Sequence, residues 1–247
     1  MRIPRIYTPQ PLAVQDSVTL ERAASQHLLT VLRLKPGAAL VLFDGSGCEF
    51  EARLDADDNR RARILVTAEC SRHSESPLRI SLAQGISRGE RMDYTLQKAV
   101  ELGITEIVPV VTERSVVRLN AEHAQRKREH WQRLVISACE QSGRVRIPPV
   151  HVPLSYTDFL RQPTDAAHKL LLDPEGSLTL NMLERPANAL IHLLVGPEGG
   201  LSKAEKARAL ATGYAGVRLG PRILRTETAA LVALSLLQGS WGDLVGD

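Results

Sequence analysis

The stretch Leu193-Leu194-Val195-Gly196-Pro197-Glu198-Gly199-Gly200-Leu201-Ser202 decides the fold. Ala189–Val195 is a short apolar run, the pattern of a strand buried on both faces, as in a parallel sheet. Three glycines follow within five positions. Ser202 is then a good helix N-cap, and Glu205, three residues on, completes a capping box. A buried strand, a glycine loop and a helix start form one half of an α/β unit. In such sheets ligands sit outside the carboxyl ends of the strands. Glycine lets the backbone come close to a ligand and present bare N–H groups. The spacing matches neither G-x-x-x-x-G-K-S/T nor G-x-G-x-x-G, so this is not a phosphate loop of the usual kinds. A tight turn that needs positive φ is the alternative reading.

A second strand–loop–helix junction lies downstream, Leu219-Gly220-Pro221-Arg222-Ile223-Leu224-Arg225-Thr226-Glu227-Thr228-Ala229-Ala230. A strand over Gly216–Leu219 ends in Gly-Pro, and a helix starts near Thr226, which has the chemistry of a cap. Arg225 and Glu227 then stand at the helix start, where side chains can face a crevice. An ordinary capped helix, with Arg225 salt-bridged to Glu227 or elsewhere, is the alternative.

Working outward, strands and helices alternate. Leu78–Ala83, Thr105–Val110, Lys169–Asp173 and Ala189–Val195 read as strands. Arg91–Leu102, Ala121–Gln141, Ser202–Ala211 and Thr226–Gln238 read as helices, the second with Ala124, Trp131, Val135 and Ala138 on one face. This alternation predicts a parallel α/β sheet covered on both faces. Residues 1–71 differ. Short strands such as Ala39–Phe43 and Arg63–Val66 are separated by turn signals, including Asp44-Gly45 and Asp57-Asp58-Asn59. One helix is expected over Glu21–Leu32, with Ala24, Leu28 and Val31 on its inner face. The pattern suggests a small β-barrel, joined by a polar linker over 72–77 to an α/β domain over 78–247.

Composition sets outer bounds. The 247 residues are 43% hydrophobic and only 4% aromatic, so the core is built from aliphatic side chains. A net charge of +3 and a pI near 8.9 permit a nucleic-acid partner without demanding one. Cys48, Cys70 and Cys139 form no C-x-x-C pair, and the odd count argues against a disulfide framework. No metal-ligand cluster stands out. The N-terminus lacks a signal-peptide core, and the most apolar windows are too short to span a bilayer. A soluble cytoplasmic protein with no membrane partner is the expectation.

Taken together, the two loops resemble the GPEGG and LG-x-R-I-L-R-x-E-T-A signatures of the SPOUT methyltransferases. Within that superfamily the chain is similar to the RsmE-type 16S ribosomal RNA uridine N3-methyltransferases. The similarity extends to His27–Arg33 (H-x-x-x-V-L-R), Phe43–Gly47 (F-D-G-x-G), Lys98–Gly103 (K-x-x-E-L-G), Glu113–Ser115 (E-R-S) and Glu140–Arg144 (E-Q-S-x-R).

The resemblance implies a PUA-like N-terminal barrel and a C-terminal SPOUT domain tied in a deep trefoil knot. It also implies a homodimer through that domain. The cofactor would be S-adenosylmethionine, held near Leu172, Gly196, Gly199, Leu219, Leu224 and Thr228. The substrate would be a uridine of 16S rRNA in the small ribosomal subunit, near the decoding centre. Glu198 is the candidate for orienting the base or taking its N3 proton, and Arg225 for stabilising the uridine anion. Arg2, Arg5, Arg22, Arg33 and Lys35 are candidates for phosphate contacts, as are Arg114 and Arg118 after a strand end. The basic run Arg126–Arg128 reads better as a solvated helix face, with Glu122 spaced to pair with Arg126. Rival readings are a SPOUT enzyme acting on a ribose hydroxyl or on tRNA, and an assembly factor that binds RNA without turnover.

Overall fold

The computed structural model describes residues 3–58, 61–71, 74–115, 120–186 and 189–245. The chain divides into two compact units. One comprises Met1–Glu75 with Cys139–Ile147, the other Ser76–Ala138 with Pro148–Asp247. Residues 139–147, which the sequence reading leaves in the α/β domain, group with the first unit.

The first unit is built on a five-stranded sheet in the order β1-β3-β4-β5-β2. The strands are β1 (Arg5–Tyr7), β2 (Ser17–Thr19), β3 (Ala39–Phe43), β4 (Glu49–Asp58) and β5 (Arg61–Cys70). β3, β4 and β5 form an antiparallel meander, and the Asp44-Gly45 signal falls in its first turn. On β5, Ala62, Ile64 and Val66 are buried while their neighbours face out, the period of two that a half-covered strand requires. They pack with Ile6, Leu20, Leu28, Leu40, Leu42, Phe50 and Leu54.

The helix expected over 21–32 is a short α-helix, α1 (Arg22–Gln26), that continues as a π-turn over His27–Val31. The Leu32 N–H reaches the His27 carbonyl five residues back, at 2.9 Å. That wider winding turns Val31 off the inner face. Leu28 is fully buried as expected, but Val31 is 66% exposed.

The second unit carries a six-stranded, wholly parallel sheet in the order β11-β9-β10-β6-β7-β8. The strands are β6 (Arg79–Gly85), β7 (Glu106–Val111), β8 (Leu154–Ser155), β9 (His168–Leu172), β10 (Leu190–Val195) and β11 (Ala215–Val217). The helices are α2 (Glu90–Glu101), α3 (Ala121–Ser142), α4 (Tyr156–Arg161), α5 (Lys203–Ala211) and α6 (Thr226–Trp241). β6, β7 and β8 lie in sequence toward one edge. The chain then crosses to β9, returns to place β10 between β9 and β6, and leaves to place β11 outside β9. The order reverses beside β6, and the carboxyl ends of β9, β10 and β11 lie at one end of the sheet. Every residue of β6 after Arg79 is buried, so an apolar run rather than an alternation marks this strand. α3 turns Ala124, Trp131, Val135 and Ala138 inward, as its spacing predicts, and Glu122 pairs with Arg126 on its outer side. Among the described residues no helix is long and apolar enough to cross a membrane.

Candidate cofactor and substrate site

β10 ends at Val195, and the loop Gly196–Gly200 turns back across the neighbouring strand. A Cβ on Gly85, the last residue of β6, would lie 2.5 Å from the Pro197 nitrogen. Only a glycine there lets the loop rest on the strand. The Gly200 N–H donates to the Pro197 carbonyl at 2.8 Å with φ +66° at Gly200, so the turn and the close approach occur together. The capping box is formed: the Ser202 hydroxyl accepts from the Glu205 N–H, and Glu205 accepts from the Ser202 N–H at 2.9 Å. The other oxygen of this buried carboxylate accepts the Glu113 N–H at 2.8 Å, which fixes the start of α5 to the segment after β7.

The second loop runs from the end of β11 to α6. β11 stops at Val217, two residues sooner than the apolar pattern suggests, and Arg218 donates its N–H to the Leu178 carbonyl at 2.8 Å. Gly220 takes φ +74°. Arg222, Ile223 and Arg225 are exposed, Ile223 by 86%. Thr226 does not cap the helix. Arg225 holds the N-cap position with no side-chain hydrogen bond, and Thr226 sits inside the first turn with its hydroxyl donated to the Gly196 carbonyl at 2.6 Å. The salt bridge weighed for Arg225 is not formed: among the described residues it has no ion-pair partner, and the Glu227 Oε2 is buried without one.

Between the two loops lies a cavity of about 520 Å³, within the size range of small-molecule and cofactor sites. It is lined by Leu172, Gly196, Glu198, Gly199, Leu219, Leu224 and Arg225, all singled out by the sequence. Thr228 is placed differently from these. It is exposed, two residues into α6, and not among the lining residues, whereas Thr226, whose side chain the first turn aims back at Gly196, is. Arg114 also lines the cavity and donates to the Gly199 carbonyl at 2.8 Å.

Two features of the site carry no signal in the sequence. Glu198 accepts from the Arg88 N–H at 2.9 Å and from the Arg91 guanidinium at 3.2 Å. Burial pushes its carboxyl up, but those bonds and its own N–H outweigh burial, and the group stays below the ordinary carboxylate value. It is therefore a weak base. Lys206, also in the lining, pairs with Asp173 at 2.7 Å and Glu175 at 3.2 Å. Burial alone pushes this ammonium down, and the two carboxylates more than reverse the effect.

Of the other arginines, Arg5 lies inside the first unit. Its guanidinium is only 6% exposed and paired with Glu49. It donates to the Arg144 carbonyl at 3.1 Å and lies 5.0 Å over the Phe43 ring. This buried guanidinium ties segments of the first unit together through both terminal nitrogens, while its Nε is buried without a hydrogen-bond partner among the described residues. Arg22 and Arg33 are exposed, Arg33 at φ +53° just after the π-turn. Arg2 and Arg118 lie outside the described residues.

Residues 74–238 match the RNA methyltransferase domain family, and residues 20–66 match the RNA methyltransferase PUA domain. The chain belongs to the RNA methyltransferase family. It is 34% identical to ribosomal RNA small subunit methyltransferase E of Buchnera aphidicola, over 98% of each protein. Two solved structures are close to this RNA methyltransferase along its length. One is a putative methyltransferase of Legionella pneumophila with bound S-adenosylmethionine. It shows 39% identity and a TM-score of 0.94 over 99% of this chain and 100% of the other. The second is ribosomal RNA small subunit methyltransferase E of Neisseria gonorrhoeae, bound to S-adenosylmethionine. It shows 42% identity and a TM-score of 0.91 over 98% of this chain and 100% of the other. In this RNA methyltransferase the first unit thus carries the PUA match and the parallel sheet carries the methyltransferase match.

Proposed function

We propose that the protein transfers a methyl group from S-adenosylmethionine to N3 of a uridine in 16S rRNA, near the decoding centre of the small ribosomal subunit. One observation carries this reading. The two loops that bear the family's signatures meet at the carboxyl ends of β9, β10 and β11 and enclose a cavity of cofactor size. The fit is chemical as well. The glycine loop brings backbone without side chains to the cavity, and Leu172, Leu219 and Leu224 offer apolar wall for an adenine. Both solved relatives carry S-adenosylmethionine.

The cofactor supplies an electrophilic methyl on a sulfonium. The remaining work falls to the protein. N3 of uridine carries a proton on a weakly acidic imide, and it lies on the pairing edge, so the base is presented unpaired. Arg225, exposed at the cavity and free of an ion pair among the described residues, is suited to stabilise negative charge on the flanking carbonyls. Glu198 is better suited to hold the loop and orient the base than to take the proton, since its partners stabilise the ionised form. Arg22 and Arg33 on the first unit, and Arg114 at the cavity, are the remaining described candidates for phosphate contact.

The finer architecture follows the family. On this reading the first unit is a PUA-like barrel and the α/β domain is tied in a trefoil knot, with which the return of β10 between β9 and β6 is in keeping. A homodimer through the α/β domain and a cytoplasmic location complete the reading. The test is methyl transfer from labelled S-adenosylmethionine to small subunits lacking the modification, followed by nucleoside analysis. Labelled 3-methyluridine is the expected product. A different labelled nucleoside refutes the target atom, and cofactor binding without transfer to a competent substrate leaves an RNA-binding assembly factor.

A further inference from the structure

Gln84, the penultimate residue of β6, is fully buried and belongs to neither signature loop. Its Nε2 donates to the Gly85 carbonyl at 3.1 Å, to the Thr226 hydroxyl at 3.0 Å and, more weakly, to the Gly196 carbonyl at 3.4 Å. The Thr226 hydroxyl in turn donates to that same Gly196 carbonyl at 2.6 Å. Three segments, the end of β6, the start of the glycine loop and the first turn of α6, therefore converge on one carbonyl oxygen.

Proline has no N–H, so this oxygen is the only hydrogen-bonding group of the peptide between Gly196 and Pro197. Drawing it onto Thr226 and Gln84 fixes the plane of that peptide and the direction in which the loop leaves the sheet. The same bonds fix the first turn of α6 beside it. The Gln84 Oε1 is buried with no partner among the described residues, and such an orphan acceptor lowers stability. A leucine would fill much the same space without that cost. What glutamine adds here is the pair of Nε2 protons.

We infer that Gln84 and Thr226 are positioning residues that lock the Gly196 carbonyl and so hold the two cavity loops in the shape that receives the cofactor. This rests on the cavity being the S-adenosylmethionine site. Calorimetric titration of the full-length protein with S-adenosylmethionine, together with turnover and thermal unfolding, tests it. Gln84→Leu and Thr226→Val are each expected to raise Kd and KM for the cofactor about tenfold, the weight of one buried hydrogen bond. At saturating cofactor kcat stays at the wild-type level, and Thr226→Ser restores binding. The double variant binds less weakly than the product of the two single losses, because both act on one carbonyl.

Wild-type affinity in both single variants overturns the inference, as does a loss of kcat with Kd unchanged. Should Gln84→Leu fail to fold, the threonine pair decides: equal losses in Thr226→Val and Thr226→Ser overturn it, and rescue by serine alone supports it. Failure of the wild-type protein itself to bind S-adenosylmethionine overturns the cofactor reading instead, and this inference with it.

Discussion

Between Gly196 and Gly200, four polar groups are taken up by the protein: the Gly196 carbonyl, the Glu198 carboxylate, the Gly199 carbonyl and the Gly200 N–H. Between Leu219 and Arg225, by contrast, Arg222, Ile223 and Arg225 all stand in solvent. One wall of the cavity is pinned and the other presents free side chains. A pinned wall suits a ligand that must be held in one pose before reaction. Exposed arginines suit an anionic partner. On the proposed function, the pinned loop would hold the cofactor and the exposed arginines would be left for the RNA.

The largest expected effect is on the free wall. Arg225→Ala should lower turnover roughly a hundred- to a thousandfold, as loss of a charge-stabilising donor does, while leaving S-adenosylmethionine affinity unchanged. A parallel loss of cofactor affinity would break the comparison. Next comes the pinned wall. Glu205→Ala removes a buried carboxylate that accepts two backbone N–H groups. It should cost about 2–4 kcal/mol in a urea unfolding curve and weaken cofactor binding as well.

A smaller change is expected from Glu198→Gln. An amide can still accept from the Arg88 N–H, and a half-exposed ion pair is worth at most about 1 kcal/mol. Turnover should fall no more than about fivefold. Steady-state rates that drop a hundredfold would restore Glu198 as the proton acceptor.

The smallest effect lies at the far end of the sheet from both walls. Glu106, at the start of β7, is bonded to His151 at 3.0 Å. That bond, working against burial, lowers the Glu106 carboxyl from 4.5 to about 2. His151 is raised above 6.5, chiefly by the same bond. The glutamate's contribution to stability is complete above 4.5 and lost as pH falls toward 2. The histidine's is complete below 6.5 and lost as pH rises through its raised value. The stability gap between wild type and His151→Gln should therefore be widest between pH 4.5 and 6.5, at no more than about 1 kcal/mol. Thermal melts across that range measure it. Cofactor affinity should not follow the gap.

What could be read in advance tracks how local each signal is. The apolar runs of β6 and β10, the face of α3 and the Ser202–Glu205 capping box all depend on neighbours within a few residues. Each stands where the sequence places it. Strands β1 and β2 have three residues each, and β4 (Glu49–Asp58) alternates charged with apolar residues over most of its length. The two short strands carry too little pattern to stand out, because pairing with distant strands makes them, whereas the alternation of β4 is a strand signal that the turn-based reading of this region passes over. Distance explains the site in the same way. Arg5 looked like a surface cation because its partner Glu49 is 44 residues away. The bond from Gln84 to Thr226 spans 142 residues, and that from Arg91 to Glu198 spans 107. The glycine loops announced a ligand site, but the side chains that pin one of them did not.

The Glu75 carboxylate has a further consequence. It accepts from the Arg144 guanidinium at 2.6 Å and from the Val145 and Arg146 N–H groups at 3.0 Å each. Its donors lie 69 to 71 residues later in the chain. As the protein is made, the first unit emerges from the ribosome with its last acid unanswered. It is completed only after much of the second unit has been synthesised. Domains that fold one after another from the N-terminus are the usual course; here the end of the first waits on the middle of the second.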